Sequence, residues 1–388
     1  MNILVICQYY YPEPFRISDI CEELVKLGNS VTVVTGTPNY PMGNIYPGYE
    51  NKAHQDEIIN GVKVHRCPIH PRKTGAIHRL WNYYSYSHAS CKYINQLDDS
   101  FDVVFINQLS PVMMANAGIR YAKKHNKKSI LYCLDLWPAS LGVGGLNSGI
   151  LYKWFHKISK KIYRSVDKIL VSSKSFSSYF AEEFGIDDTC YLPQYAEESF
   201  KPDDCKKQAD ENIDLMFAGN IGTAQSVDTI IHAAALCKDI KNLQWHIVGD
   251  GKEYEKCKQL ANDLNVPVIF HGRHPIEEMP KYYAKADAML ITMKKDPVIS
   301  LTLPGKIQSY MAAGKPIIGA IDGEAQRVIL ESKCGFCTDA ENASGLANCV
   351  KAFISSKKEN YIKNSVNYYT KNYTKNQFIT HLQNLLID

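Results

Sequence analysis

The order of segments along these 388 residues predicts an α/β fold made of two parallel-sheet domains in tandem. Three observations carry that prediction. Short β-branched runs alternate with stretches of helical period almost from end to end. The runs are continuously apolar instead of alternating, as in sheets covered on both faces. The chain is also longer than one hydrophobic core normally supports.

In the first half, Asn2–Cys7 is the first strand. The turn Tyr11-Pro-Glu-Pro14 follows, then a helix over Ile17–Leu27 that closes at Gly28, a natural residue just past a helix C-terminus. Further strands are predicted at Val31–Thr35, Val62–Arg66, Val103–Ile106, Ser129–Cys133 and Lys168–Val171. The charged, proline-bearing stretch 193–212 reads as an interdomain linker. A second series has strands at Leu215–Ala218, Trp245–Val248, Val268–His271, Ala288–Thr292 and Pro316–Ala320. Helices at Val227–Lys238, Lys252–Leu264, Met279–Ala286 and Lys306–Ala313 separate them. This gives domains at 1–195 and 196–370, with a last helical segment at 371–388. Two such domains are expected to leave a cleft facing the carboxyl ends of both sheets, where ligands of parallel sheets bind.

Composition narrows the function classes. Apolar residues at 45% and charged residues at 22% exclude a disordered chain, and a net charge of +4 is too small to suggest a nucleic-acid partner. The charge is unevenly spread, with eighteen Lys or Arg against five Asp or Glu between Val62 and Lys174. A basic face on the first domain follows, suited to lipid or phosphate. The 12 cysteines lie scattered in apolar runs, as expected of reduced thiols in the cytoplasm. Cys334 and Cys337 form one C-x-x-C pair without the second pair a structural zinc needs. No H-E-x-x-H cluster occurs, so no metal site is predicted, and no cofactor is expected. The N-terminus reads as a strand and not as a signal peptide, and no apolar run reaches the ~18 residues of a membrane span.

Three loops carry anion chemistry. Phe217-Ala-Gly-Asn-Ile-Gly-Thr223 follows a strand and precedes a helix, so Gly219 and Gly222 let backbone N–H groups approach a phosphate. Its spacing is not the G-x-G-x-x-G fingerprint, and no glycine loop follows the first strand, which argues against a nicotinamide enzyme. Val248-Gly-Asp-Gly251 is a second strand-end turn, equally readable as a plain tight turn. In Leu303-Pro-Gly-Lys306, Pro304 starts a helix and puts Lys306 in its first turn. A cation there opposes the helix dipole by about 0.3–1 kcal/mol, which an anionic ligand would offset. The competing reading is a solvated surface lysine.

The segments Trp245-His-Ile-Val-Gly-Asp-Gly251, Val268-Ile-Phe-His-Gly-Arg273, Met279-Pro-Lys-Tyr-Tyr-Ala-Lys-Ala-Asp287 and Tyr310-Met-Ala-Ala-Gly-Lys-Pro-Ile-Ile318, in that order, resemble the donor domain of glycosyltransferase family 4. Tyr10-Tyr-Pro-Glu-Pro-Phe-Arg16, Thr37-Pro-Asn-Tyr-Pro-Met-Gly43, Ile45-Tyr-Pro-Gly-Tyr49 and Asp135-Leu-Trp-Pro138 resemble a bacterial subgroup that builds O-antigen and capsule repeats, N-acetyl-fucosamine transferases among them. The resemblance implies a GT-B fold, two Rossmann-like domains facing each other across a cleft. It also implies retaining transfer without a bound metal, and a last helix that crosses back onto the first domain. The donor, a UDP-linked N-acetylated hexose or deoxyhexose, would be held by Gly219, Asn220, Gly222, Gln225, Gly249, Asp250, Arg273, Pro304, Lys306 and Ser309. The sequence departs from the family at one point. Two glutamates eight positions apart are replaced by Leu301 and Ser309, so Glu324 is the candidate to take over the ribose contact.

On the acceptor side, Asp135 follows a strand end where a catalytic group would face the cleft, as proton acceptor or as orienter of the acceptor hydroxyl. A turn aspartate is the plainer alternative. Arg16 starts the first helix and is a candidate for phosphate through its planar fork, or for an interdomain salt bridge. Asn39, Tyr40 and Trp137 are candidate acceptor contacts, with tight proline-rich turns as the rival reading. Lys306 would stabilise charge on the leaving diphosphate. Residues 71–92 (Arg72, Lys73, Arg79, Lys92, Trp81, Tyr83, Tyr84, Tyr86) and 152–168 (Lys153, Lys157, Lys160, Lys161, Arg164, Trp154, Phe155) mix cations with aromatics. They suit peripheral docking on the inner face of the cytoplasmic membrane, or else core aromatics beside solvated lysines. The implied activity is transfer of a sugar to a lipid-linked saccharide. A sugar-nucleotide epimerase of similar architecture and a non-catalytic nucleotide-sugar-binding protein stand as alternatives.

Overall fold

The computed structural model describes every residue except 42, 73–75, 145–147, 209 and 388. The chain divides into two compact units, residues 1–192 with 379–388, and residues 193–378. Among the described residues the first unit carries one sheet of eight strands. They are β1 (Asn2–Ile6), β2 (Ser30–Gly36), β3 (Asp56–Ile59), β4 (Val62–Cys67), β5 (Val103–Gln108), β6 (Lys128–Cys133), β7 (Lys168–Val171) and β8 (Thr189–Tyr191), in the order β3-β4-β2-β1-β5-β6-β7-β8. All neighbours are parallel except β3, which folds back on β4 through Asn60 and Gly61, both at positive φ. Ile3 to Ile6 of β1 are wholly inaccessible, the expected state of a central strand with helices over both faces. The chain leaves β1 toward β2 and returns to β5, so the strand order reverses beside β1.

The second unit holds β9 (Ile213–Ala218), β10 (Leu243–Val248), β11 (Val268–Gly272), β12 (Ala288–Thr292), β13 (Ile317–Ala320) and β14 (Gly335–Thr338), ordered β11-β10-β9-β12-β13-β14. All pairs are parallel. Alternate residues of β9 feed opposite faces. Met216 and Ala218 pack with Val248, Ile307 and Tyr310, whereas Leu215 and Phe217 pack with Ile230, Trp245 and Phe353. Here the order reverses beside β9, whose carboxyl end runs straight into Gly219. Crevices at such reversals are where open α/β sheets bind ligands.

Two segments differ from the sequence reading. Residues 193–212 are not a free linker, because Ala196, Phe200 and Cys205 are buried in the second unit. Most of its charges do face solvent, but Lys207 ties the stretch to the start of two strands. Lys207 Nζ lies 2.5 Å from Asp214, 2.6 Å from Asp287 and 3.0 Å from Asp210, and Lys358 adds a 2.9 Å bond to Asp287. Near the C-terminus the helices Lys358–Asn372 and Lys375–Ile387 replace one run from 371. Thr374 and Gln377 exchange side-chain-to-backbone bonds at 3.2 and 3.3 Å, a capping box that starts a new helix. Residues 379–388 belong to the first unit, where Asn29 Nδ2 donates to Gln383 Oε1 at 2.9 Å and Lys128 Nζ to the Leu385 carbonyl at 3.1 Å.

Candidate active site

In the second unit the site begins with glycines that let three strand ends interlock through backbone. Gly219 N–H donates to the Val248 carbonyl at 2.9 Å, and Gly249 N–H to the Gly272 carbonyl at 2.7 Å. A Cβ on Gly249 would stand 1.9 Å from the Gly219 carbonyl oxygen, and one on Gly251 would stand 2.5 Å from that of Ile221. No side chain fits at either place, so these loops need glycine whatever they bind.

The helix Gly305–Ala312 supplies the cation. Tyr310 fixes it to the end of β9, its hydroxyl 3.2 Å from both the N–H and the carbonyl of Ala218. Lys306, four residues earlier, shares that helix face. Its ammonium therefore lies 3.8 Å from the centroid of the Phe217 ring. It also occupies the space a Gly219 side chain would need, since a Cβ there would be 2.6 Å from Nζ. Among the described residues Lys306 has no carboxylate partner, only the ring face. Burial pushes its pKa down to about 7. Lys306 lies in the first turn of this helix, where Ile307 N–H already donates to the Pro304 carbonyl at 3.0 Å and the helix start favours negative charge.

Other donor-side candidates are engaged differently. Gly222 N–H and Asn220 Nδ2 both donate to Gln225 Oε1 at 3.1 Å, so these three residues form a self-contained turn. Asp250 is exposed and accepts the Gly251 N–H at 2.7 Å. Arg273 is exposed just beyond β11, and Pro304 caps the lysine helix. Ser309 Oγ donates to Glu197 Oε2 at 3.2 Å, so a carboxylate from residue 197 reaches the position where the family pattern is broken. The sequence reading missed Glu197 because nothing local to 309 announces it. Glu324 opens the helix Gly323–Ser332, is 2% exposed and bonds Arg327 at 2.5 Å. Gly323 makes that burial possible, since a Cβ there would lie 2.1 Å from the Ser300 carbonyl.

A groove of about 610 Å³ runs between the helices Asp228–Ala235 and Tyr254–Asp263, with Gly222 and Thr223 at its rim. Asp228, Glu253, Asp263 and Glu341 line it beside Lys256 and Lys294, so its carboxylates outnumber its lysines and it suits a diphosphate less well than the loop around Lys306.

In the first unit Asp135 follows β6, its carboxylate accepting from the Ser110 hydroxyl, with Ser140 Oγ 3.2 Å from Ser110 Oγ. Burial raises its pKa above the usual carboxylate value, against the pull of those hydroxyls. Trp137 is 1% exposed and packs edge-on to Tyr83 and Phe155 as a core residue. Asn39 is likewise fully buried. Its amide donates to the Thr37 carbonyl at 2.9 Å, and its oxygen accepts from Arg72 N–H at 3.1 Å and Asn82 at 3.3 Å. Tyr40 is half-buried beside Tyr9 and Phe15. Arg16 is half-buried at the start of the helix Ile17–Lys26. Glu13, absent from the sequence reading as a site residue, braces this wall. One carboxylate oxygen accepts the N–H groups of Asn39 and Tyr40 at 2.9 and 2.7 Å, and the other that of Tyr10 at 3.3 Å.

The two basic-aromatic stretches split between core and surface. Tyr83, Tyr86 and Phe155 are buried, whereas Trp81, Tyr84 and Trp154 face outward, with Ile150 (90% exposed) and Leu151 beside Trp154. Lys73 and the Arg79 side chain lie outside the described residues. Among the described residues no helix is long and apolar enough to cross a membrane.

Residues 16–192 match the family described as Glycosyltransferase Family 4, and residues 212–356 match Glycosyl transferases group 1. The probable glycosyltransferase WbjE of Pseudomonas aeruginosa is 25% identical over 253 residues, and the alignment spans 62% of each chain. WcaI of Escherichia coli (strain K12), assigned as a glycosyl transferase of colanic acid biosynthesis, is 23% identical over 81% of this chain and 82% of its own. The structure of HepE from Anabaena, solved with UDP and glucose, superposes with a TM-score of 0.74 at 15% identity, covering 100% of both chains. With two parallel α/β units and both halves matched, the chain belongs to the family 4 glycosyltransferases of GT-B fold.

Proposed function

We propose that this protein moves a sugar, with retention of configuration, from a UDP-linked donor held by the second unit to a lipid-linked saccharide in bacterial surface-polysaccharide synthesis. The observation that carries the donor half is Lys306. Its ammonium is partly desolvated, held between Phe217 and Gly219 at a helix start, and without a carboxylate. A diphosphate bound there gains a charge-assisted bond in a place of lowered polarity, and the bond strengthens as the departing diphosphate takes up charge. UDP is favoured by the UDP bound to HepE, and a polysaccharide role by the description of WcaI. The ribose contact is proposed for Glu324. In the first unit Asp135, its pKa raised by burial, is proposed to accept or orient the acceptor proton, with Arg16 and Tyr40 holding the acceptor. The outward face of the helix Gly149–Tyr163, Ile150, Leu151 and Trp154 among Lys153, Lys157 and Lys161, is proposed to dock on anionic lipid at the inner membrane surface.

The test is thermal unfolding with UDP, GDP, ADP, dTDP and NAD, each with and without chelator. A ligand at about 100 times its Kd adds roughly 2.7 kcal/mol of stability. The expected result is a chelator-insensitive rise with UDP that is lost in Lys306→Met. A rise with NAD alone, or with none of the five, overturns the donor assignment. Donor epimerised without acceptor would identify an epimerase instead.

A further inference from the structure

Arg72 was read from sequence as one of several cations in a basic-aromatic stretch, yet the fold sets it in a cluster of tyrosines. It follows β4, while Tyr9 follows β1 and Tyr40 follows β2, so three adjacent carboxyl-end loops converge. Its guanidinium carbon lies 5.6 Å from the centroid of the Tyr40 ring and 5.9 Å from that of Tyr83, and Nη2 makes a long contact of 3.5 Å with the Tyr83 hydroxyl. Tyr9, 3% exposed, is stacked on Phe15 at 5.0 Å and tilted against Tyr40 at 5.4 Å, which closes the aromatic wall. Arg72 N–H donates to the buried Asn39 oxygen at 3.1 Å, so its backbone is pinned as well. Among the described residues this cation has phenol rings and hydroxyls around it but no ion pair. Glu13, which braces the same loop, has both carboxylate oxygens taken up by backbone N–H groups.

A guanidinium held by rings, with its fork unmatched by a carboxylate, suits a phosphate group, which it can bind through two parallel bonds while phenol hydroxyls donate to the remaining oxygens. We propose that Arg72, with Tyr9, Tyr40 and Tyr83, binds the phosphate or diphosphate that joins the acceptor saccharide to its lipid. The proposal rests on the glycosyltransferase reading, but its site and its test are separate from the donor site. Tyr40, half-buried beside the cation, and Phe15, half-buried against Tyr40, then offer ring faces to the first sugar.

The test uses the full chain with geranyl diphosphate, geraniol and inorganic pyrophosphate, binding being followed by titration calorimetry. Geranyl diphosphate is expected to bind and geraniol not. Arg72→Gln should weaken geranyl diphosphate at least about tenfold, and Arg72→Lys, which keeps the charge but loses the fork, less. UDP affinity should not change in either variant, which separates this site from the donor site and shows that the variants fold. Tighter binding of geranyl diphosphate than of pyrophosphate assigns the anion to a lipid-linked source. Unchanged binding in Arg72→Gln, equal binding of geraniol, or displacement of geranyl diphosphate by UDP overturns the proposal. Absence of UDP binding with Arg72-dependent geranyl diphosphate binding would sink the donor reading and leave this site standing.

Discussion

The two units build their ligand-facing ends by different means. In the second unit the scaffold is backbone. Gly219, Gly249 and Gly251 bring strand ends into contact, and one side chain, Lys306, is laid across them. In the first unit the scaffold is side chains. Glu13 collects three N–H groups, Asn39 ties two loops together, and tyrosine rings surround Arg72. A backbone scaffold suits a constant ligand part such as a diphosphate, because it leaves little room to vary. A side-chain scaffold can be re-cut residue by residue, which suits the part of a substrate that differs between polysaccharides.

The contrast predicts how each end fails. The largest effect is expected from Gly249→Ala, because the new Cβ meets the Gly219 carbonyl at 1.9 Å and one loop must move. A loss above about 4 kcal/mol is expected, read as fast hydrogen exchange in β9 and β10 with β1 and β5 still protected. Equal protection in both units would show that the loops are not interlocked. Asp135→Asn removes the proton acceptor while keeping the shape, and kcat should fall about 10²–10⁴-fold with UDP affinity intact. An unchanged kcat would return Asp135 to a turn residue. Glu13→Ala strands three backbone N–H groups and should cost about 2–3 kcal/mol, confined to the first unit in the same exchange experiment. The smallest effect is expected from Ile150→Ser with Trp154→Ser. Binding to vesicles containing anionic lipid should weaken by about 1–2 kcal/mol, roughly 5- to 30-fold, with activity on a soluble acceptor analogue unchanged. Equal vesicle binding would make that face an ordinary surface.

The same contrast explains what the sequence revealed. The strand–helix alternation and the glycine turns were legible because the residues that matter are close in the chain. β9, β10 and β12 lie within two residues of their predicted ends. β3 and β14 escaped because DEII and GFCT lack an apolar run, although Asn60-Gly61 was a readable hairpin turn for β3. The anchoring of 193–212 was not legible because the partners of Lys207, Asp214 and Asp287, come from two strand starts, Asp287 lying 80 residues away. The Arg72 cluster was illegible for the same reason, since residues 9, 40 and 72 are brought together by the order of the sheet and Tyr83 by the helix Ala76–Ile94. Asn39 and Trp137 were candidate acceptor contacts with tight turns as the rival reading, and both side chains are buried among the loops they pack.

The proposed donor site is built on Lys306, and UDP affinity as a function of pH tests that role most directly. Burial lowers the lysine's pKa from 10.5 to about 7 in the free protein, and the bound diphosphate needs it charged. Binding must therefore take up a proton above that pH, and Kd should weaken by up to tenfold per unit as pH rises from 7 toward 9. Lys306→Met should bind about 10- to 100-fold more weakly at pH 7, with the slope gone. A wild-type affinity that stays level across this range, or a Met variant that binds as tightly as wild type, would contradict a donor site built on this lysine.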